Sequence, residues 1–260
     1  MIHYTFSMAD LEYFLLIVVR ITMFIYIAPF FSTRGVPNQY KVGLSLFISL
    51  LVYQITQPHE VMVYQTVWGY AVIVLKEAMT GLLIGFSTSI CMSIIGFAGR
   101  IIDMETGLSM SNLMDPTTQE MSSITGVFYQ YVITLMLIVS GMYQYILKAL
   151  VETYTLIPVN GAVFSTDKLM EAILTFMRDY ISIGFRICLP VFAVMLLLNA
   201  VLGILAKVSP QMNMFAVGMQ LKVLVGLCIL FFTTGMIPGM SNAIFTEMKR
   251  MMVAFVETMM

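Results

Sequence analysis

Two long stretches without a single Asp, Glu, Lys or Arg, Ala78 to Gly99 and Met121 to Leu147, constrain this chain more than anything else in its sequence. A straight helix rises about 1.5 Å per residue, so the second stretch alone would be about 40 Å long, against roughly 30 Å for the hydrocarbon core of a bilayer. Such runs are not the one-sided stripes of soluble helices, and they need apolar surroundings on every side. Between them stands Glu105 to Ser123, ETGLSMSNLMDPTTQEMSS, polar and marked by glycine and proline. Gly107 tolerates positive φ and the Asp115-Pro116 pair removes a backbone donor, so both interrupt helix. The segment reads as a loop held at membrane depth. Its short apolar patch, Leu108, Met110, Leu113 and Met114, either packs on a neighbour or fills a hole.

Composition points the same way. Of 260 residues, 60% are hydrophobic and only 10% charged, whereas soluble chains carry about a quarter charged residues. The chain is read as membrane-embedded. With 13 basic and 14 acidic side chains it has no electrostatic footprint for nucleic acid and no basic block for lipid headgroups. Cys91, Cys188 and Cys228 each stand alone in an apolar run, where a thiol behaves as a small hydrophobe, so neither a disulfide nor a metal framework is indicated. The first ten residues lack the basic start of a cleavable signal peptide, and the amino terminus is expected to be retained.

Taken in order, residues 11 to 31 predict an apolar helix containing Arg20 and closed by Pro29, and residues 42 to 57 a second one between Pro37 and Pro58. Val61 to Gly99 is apolar apart from Lys76-Glu77 and too long for one span, which predicts a break or kink near that charged pair. Thr155 to Asp167, with Pro158, Asn160 and Gly161, predicts a turn region. Lys168 to Tyr180 shows an amphipathic helical pattern, with Thr166 or Asp167 as its cap. Two apolar helices follow, Ile181 to Ala206 and Val223 to Thr246, joined by KVSPQMNMFAVGMQLK.

Two features set these helices apart from ordinary lipid-bathed spans. If six helices alternate sides, one side receives Arg34, Lys41, Arg100, Lys207 and Lys222 and the other Lys148, Lys168, Arg178, Lys249 and Arg250, an even balance with no positive-inside bias. The second feature is charge inside apolar runs: Arg20, Lys76, Glu77 and Arg186. Each costs about 2.5 to 3.5 kcal/mol at a helix centre on insertion scales, so each calls for a partner, inside or outside the chain. Gly81 and Gly85, Gly96 and Gly99, and Gly235 and Gly239 recur at helix-contact spacing, which favours close packing of hairpins. The 25 methionines are read as flexible apolar filler, with Met110, Met114 and Met121 able to seal an aperture.

Catalytic signatures are missing from the sequence. His3 and His59 lie near chain or helix ends without ligand spacing to Cys, Asp or Glu, and neither HExxH, GxSxG nor a glycine-rich phosphate loop occurs. The chain is expected not to be an enzyme and to need no cofactor. An ion-coupled transporter, with Arg20, Glu77 and Arg186 facing a cavity, competes with a reading of those charges as buried salt bridges between subunits.

The segment Arg20 to Lys41, with R, then APFF, then VP and K, resembles the amino-terminal signature of the FliR family, flagellar export-gate proteins related to SctT of injectisomes. The resemblance continues through Glu77, Gly81, Gly85, Gly99, Asp103, Gly107 and Asp115-Pro116. It is most specific at Pro190 and at SPQMNMFAVGMQLK, where Pro210, Gln211, Asn213, Phe215 and Lys222 fall on the family's PQxNxF pattern and its downstream Lys. Met219-Gln220 departs from the more apolar residue and proline of many members. The resemblance covers essentially the whole chain.

It implies an all-α integral membrane protein of apolar hairpins packed in a multi-subunit helical assembly, with a FliP-like part over 1–164 and a FliQ-like hairpin over 165–260. FliP-like, FliQ-like, FlhB-like and FlhA-like subunits, unfolded exported flagellar proteins and lipid are the implied partners. The implied location is the bacterial inner membrane at the flagellar basal body. Residues 105–123 correspond to the family's plug, which makes Gly107, Leu108, Met110, Leu113, Met114, Asp115 and Pro116 the expected pore-closing set. Pro210, Gln211, Asn213, Phe215 and Lys222 are the expected subunit contacts. An injectisome export-gate component is the alternative within the same class.

Overall fold

The computed structural model describes residues 8–32, 35–56, 64, 66–111, 123–209, 211 and 213–260. They form eight α-helices, and no strand occurs among them: α1 Met8–Ile27, α2 Asn38–Ile55, α3 Val67–Thr106, α4 Ile124–Val139, α5 Met142–Leu156, α6 Thr166–Val208, α7 Met214–Thr233 and α8 Ile237–Glu257. Short 3-10 turns follow α3 at Leu108–Ser111 and join α7 to α8 at Thr234–Met236. Three helical stretches, Val67–Thr106, Thr166–Val208 and Ala216–Glu257, are long and apolar enough to cross a membrane, and α4 with α5 supplies at most one more. At 40, 43 and 42 residues they are each about 60 Å long, roughly twice a hydrocarbon core.

Several expected boundaries move. The Lys76-Glu77 pair, expected to break the helix, is passed without interruption by α3. Neither residue disfavours helix, and the Glu77 carboxylate is paired rather than left naked in an apolar run. The run toward Leu147, by contrast, is divided. Gly141 adopts φ +70° between α4 and α5, a left-handed conformation that costs other residues about 1–2 kcal/mol. The amphipathic stretch from Lys168 and the apolar helix ending near Ala206 are one helix, α6, which continues through Pro190.

The chain divides into two compact units. The first comprises Met1–Ile90, Gly141–Phe176 and Glu247–Met260. Its core is built on α1, whose Leu16, Ile17, Ile21, Phe24 and Ile25 are buried, with Ile84, Ile146, Leu150, Phe176, Met248 and Phe255 from other helices. The α1–α3 packing is set by two glycines: a Cβ on Gly81 would collide with the Arg20 carbonyl, and one on Gly85 would come within 3.0 Å of the Phe24 carbonyl oxygen. Helix α2 is inverted. It buries Ser45 and Ser49, whose hydroxyls are spent on the backbone carbonyls of Val42 and Ser45, and turns Tyr40, Phe47, Leu50 and Ile55 outward. The carboxyl end is tied in by Val163 N–H to the Met259 carbonyl at 3.0 Å and Ser165 N–H to the Thr258 carbonyl at 3.2 Å.

The second unit comprises Cys91–Ser140 and Met177–Thr246. Here α3 and α4 approach backbone to backbone, since a Cβ on Gly99 would strike Gly126. Phe97 lies against Gly184 of α6 and stacks with Tyr180 at 5.2 Å and Phe185 at 6.0 Å between ring centroids. The Tyr129 and Thr233 hydroxyls meet at 3.3 Å between α4 and α7. Small-residue spacing therefore marks real contacts at Gly81, Gly85 and Gly99, and Gly96 shares the α3–α4 approach, its Cα 3.6 Å from where a Cβ on Gly126 would sit, although a Cβ on Gly96 itself, or on Gly235 or Gly239, would meet nothing within 4 Å.

Candidate functional site

The first unit holds a buried polar knot. Arg20 and Glu77 are both 0% exposed and form a two-point ion pair, Nε to Oε2 at 2.6 Å and Nη2 to Oε1 at 3.0 Å. The remaining guanidinium nitrogen donates to the Ile157 carbonyl at 3.0 Å. The Asn160 N–H donates to Glu77 Oε1 at 2.8 Å, and the Tyr154 ring faces the guanidinium carbon at 4.4 Å. Asn160 is able to aim its N–H there because it sits at φ +68°, a region asparagine enters more readily than most residues, in a turn closed by Gly161 N–H to the Pro158 carbonyl at 2.8 Å. A buried pair is tolerable only when its remaining donors and acceptors are met, and this one joins α1, α3 and the turn after α5 in a single network. Near the start of α1, the Tyr64 hydroxyl donates to Glu12 at 2.6 Å, a bond that raises the hydroxyl above its ordinary pKa.

The second unit holds the root of the polar loop. Asp103, 1% exposed, receives the Thr125 N–H at 3.3 and 3.4 Å on its two oxygens. Ser123 caps α4 by accepting the Gly126 N–H at 2.9 Å. Helix α3 ends at Gly107, φ +82°, and the Leu108–Ser111 turn carries Met110 outward at 74% exposure.

Of the expected plug residues, Gly107, Leu108 and Met110 are thus at the carboxyl end of α3; Leu113, Met114, Asp115 and Pro116 lie outside the described residues. Among the expected subunit contacts, Gln211 and Asn213 are exposed in the α6–α7 connection. The Asn213 side chain accepts the Ala216 N–H at 3.4 Å as the cap of α7. Phe215 is in the first turn of α7, Lys222 is half-buried on it, and Pro210 lies outside the described residues. The intramembrane charges part company. Arg20 and Glu77 satisfy each other within the chain, Lys76 is half-buried beside Glu77, and Arg186 is exposed on α6. Tyr154, Asn160 and the Ile157 carbonyl escaped the sequence reading, because nothing in spacing tells which distant groups close on an arginine. The Pro158-Asn160-Gly161 turn signal was the available clue.

Among the described residues no group of His, Cys, Asp and Glu could hold a metal ion. What the geometry provides is structural: the Arg20–Glu77 pair neutralised inside, apolar side chains displayed outside, as on Phe47, Leu75, Leu197 and Phe231. A protein built in this way, all-helical and with helices of membrane length, is an integral membrane protein. Its sequence matches the family described as Bacterial export proteins, family 1, over residues 11–248. It is 30% identical over 225 residues, 86% of either chain, to the flagellar biosynthetic protein FliR of Aquifex aeolicus. The FliR of Bacillus subtilis is 29% identical over 84% of each chain, and that of Escherichia coli 23% identical over 88% of this chain and 86% of the relative. The chain belongs to the FliR family of bacterial export proteins.

Proposed function

We propose that this chain is a core component of the flagellar type III protein export gate in the bacterial inner membrane, where it helps to form and close the pore for unfolded flagellar subunits. The observation that carries the reading is the family match over residues 11–248 together with relatives named flagellar biosynthetic protein. The outward apolar faces of α2, α6 and α7 support it, since they fit burial in lipid and against further subunits. Those subunits are FliP-like, FliQ-like and FlhB-like, with an FlhA-like protein beside them. Residues 1–164 act as the FliP-like part and 165–260 as the FliQ-like hairpin.

Closure is steric. Leu108, Met110, Leu113 and Met114 occlude the lumen, and Gly107 and Pro116 flank the moving segment as hinges. Gln211 and Asn213, beside Pro210 in the sequence, offer a polar connection that a neighbouring subunit recognises without burying unpaired groups, and Phe215 and Lys222 of α7 add further contacts with that subunit. Co-purification of a tagged chain from native membranes, followed by mass spectrometry, tests the reading. Stoichiometric FliP-like and FliQ-like proteins are the expected companions, and a chain that purifies alone, stable and monodisperse, overturns it.

A further inference from the structure

The turn that closes the buried knot is built from a chemically labile pair. Asn160-Gly161 is the one Asn-Gly step in the chain, and both residues are exposed. The geometry demands each of them. Position 160 sits at φ +68°, where asparagine and glycine are at home and most other side chains are strained. Position 161 has no room for a side chain, because a Cβ there would come within 2.9 Å of the Pro158 ring. The fold thus sets an asparagine amide directly before the residue whose backbone nitrogen is least shielded by a side chain of its own.

Such a pair reacts with itself, which is one reason asparagine counts as thermolabile. The Gly161 nitrogen attacks Asn160 Cγ. A Cγ–N bond forms, the Cγ–Nδ2 bond breaks, and the proton of the Gly161 N–H leaves with the side-chain nitrogen as ammonia. Water then opens the five-membered imide. Addition at Cγ gives aspartate, and addition at the main-chain carbonyl gives isoaspartate, whose backbone runs through Cβ and Cγ. Water reaches this segment, since Glu152, Asp167, Lys168 and Glu171 on either side of the turn are exposed. In the folded chain two hydrogen bonds oppose the first step. The Gly161 N–H is held by the Pro158 carbonyl at 2.8 Å, and the Asn160 N–H by Glu77 Oε1 at 2.8 Å. Swinging the Gly161 nitrogen onto Cγ rotates the peptide that carries it and strains or breaks the first of these bonds.

We propose that Asn160 is a site of spontaneous succinimide formation and deamidation, that the closed knot holds the reaction off, and that either product weakens the knot. Isoaspartate inserts one more main-chain carbon between the N–H groups of residues 160 and 161, so the bonds to Glu77 and to Pro158 no longer fit together. Aspartate adds a carboxylate to the residue whose own N–H holds the Glu77 carboxylate, and like charges at that range repel. A chain whose knot stays open is therefore converted to forms that close it less well, and opening becomes progressively irreversible. The inference concerns the chemistry of the first unit and does not rest on the export reading, so its failure leaves the co-purification result standing.

The test ages the unaltered full chain in warm, mildly alkaline buffer, one sample folded in detergent and one unfolded in guanidinium with SDS. Trypsin cuts after Lys148 and Lys168, and mass spectrometry of the 149–168 peptide reads the change of amide to acid, with isoaspartate separated from aspartate by its elution. Acid at residue 160 is expected to accumulate severalfold faster in the unfolded sample. Equal rates in the two samples overturn the protection, and a peptide that stays amidated in both overturns the site. The consequence is measured on made variants, by thermal unfolding in detergent. Asn160→Asp is expected to unfold at a lower temperature than the parent, whereas Asn160→Gly, which keeps the N–H and accepts the positive φ, should not. Asn160→Asp unfolding at or above the temperature of Asn160→Gly overturns the claim that deamidation weakens the knot.

Discussion

Arg20 illustrates how a residue that is a liability by itself becomes a fixed point. Its desolvation is offset only because Glu77, the Ile157 carbonyl and the Tyr154 ring converge on it, so removing one member should cost more than removing the ion pair whole. Arg20→Ala or Glu77→Ala is expected to destabilise the folded chain by about 3–5 kcal/mol. The double variant should lose less than the sum. Thermal unfolding of the detergent-purified protein measures this, and strictly additive losses would show that the two charges do not depend on each other. Gly81 makes a parallel case in packing. Gly81→Ala forces its Cβ into the Arg20 carbonyl and should lower the folded yield sharply. Gly96→Ala, with nothing within 4 Å, should leave that yield unchanged. Equal effects on yield would discredit the α1–α3 contact.

At the scale of elements, two interruptions are decided by single residues. Gly141→Val places a β-branched residue at φ +70°, with an expected loss of about 1–2 kcal/mol, and limited proteolysis near the α4–α5 junction should register it. A variant as resistant as the parent chain would mean that the junction relaxes without strain. The polar loop is the other. Shortening 108–114 is expected to leave assembly with partners intact and to raise leakage of ions or small molecules through the membrane, because the caps on Asp103 and Ser123 lie outside the deletion. An unchanged leak in a correctly assembled complex counts against the plug. Helix α6 carries a lesson about reading boundaries. Its amphipathic first half and apolar second half look like two elements, but a change of surroundings along a helix need not be a change of backbone.

For the whole molecule, the sequence by itself determined the class: uncharged runs too long for soluble helices, too few charges to dissolve such a surface, and an order of motifs that placed the chain in its family. It also determined that Gly107 and the Pro158-Asn160-Gly161 turn end helices, since φ preferences are local. It could not determine what the buried charges do. Arg20 and Glu77 are 57 residues apart, and the partner-seeking arginine of the sequence is a satisfied one only because α1 and α3 pack through Gly81 and Gly85. Nor did it determine the 40-residue α3 across Lys76-Glu77, where a charge pair looked like a break until its carboxylate was neutralised from another helix. Local propensity is written residue by residue, whereas desolvation is settled by whatever the fold brings within hydrogen-bond reach, and only the tertiary structure decides that.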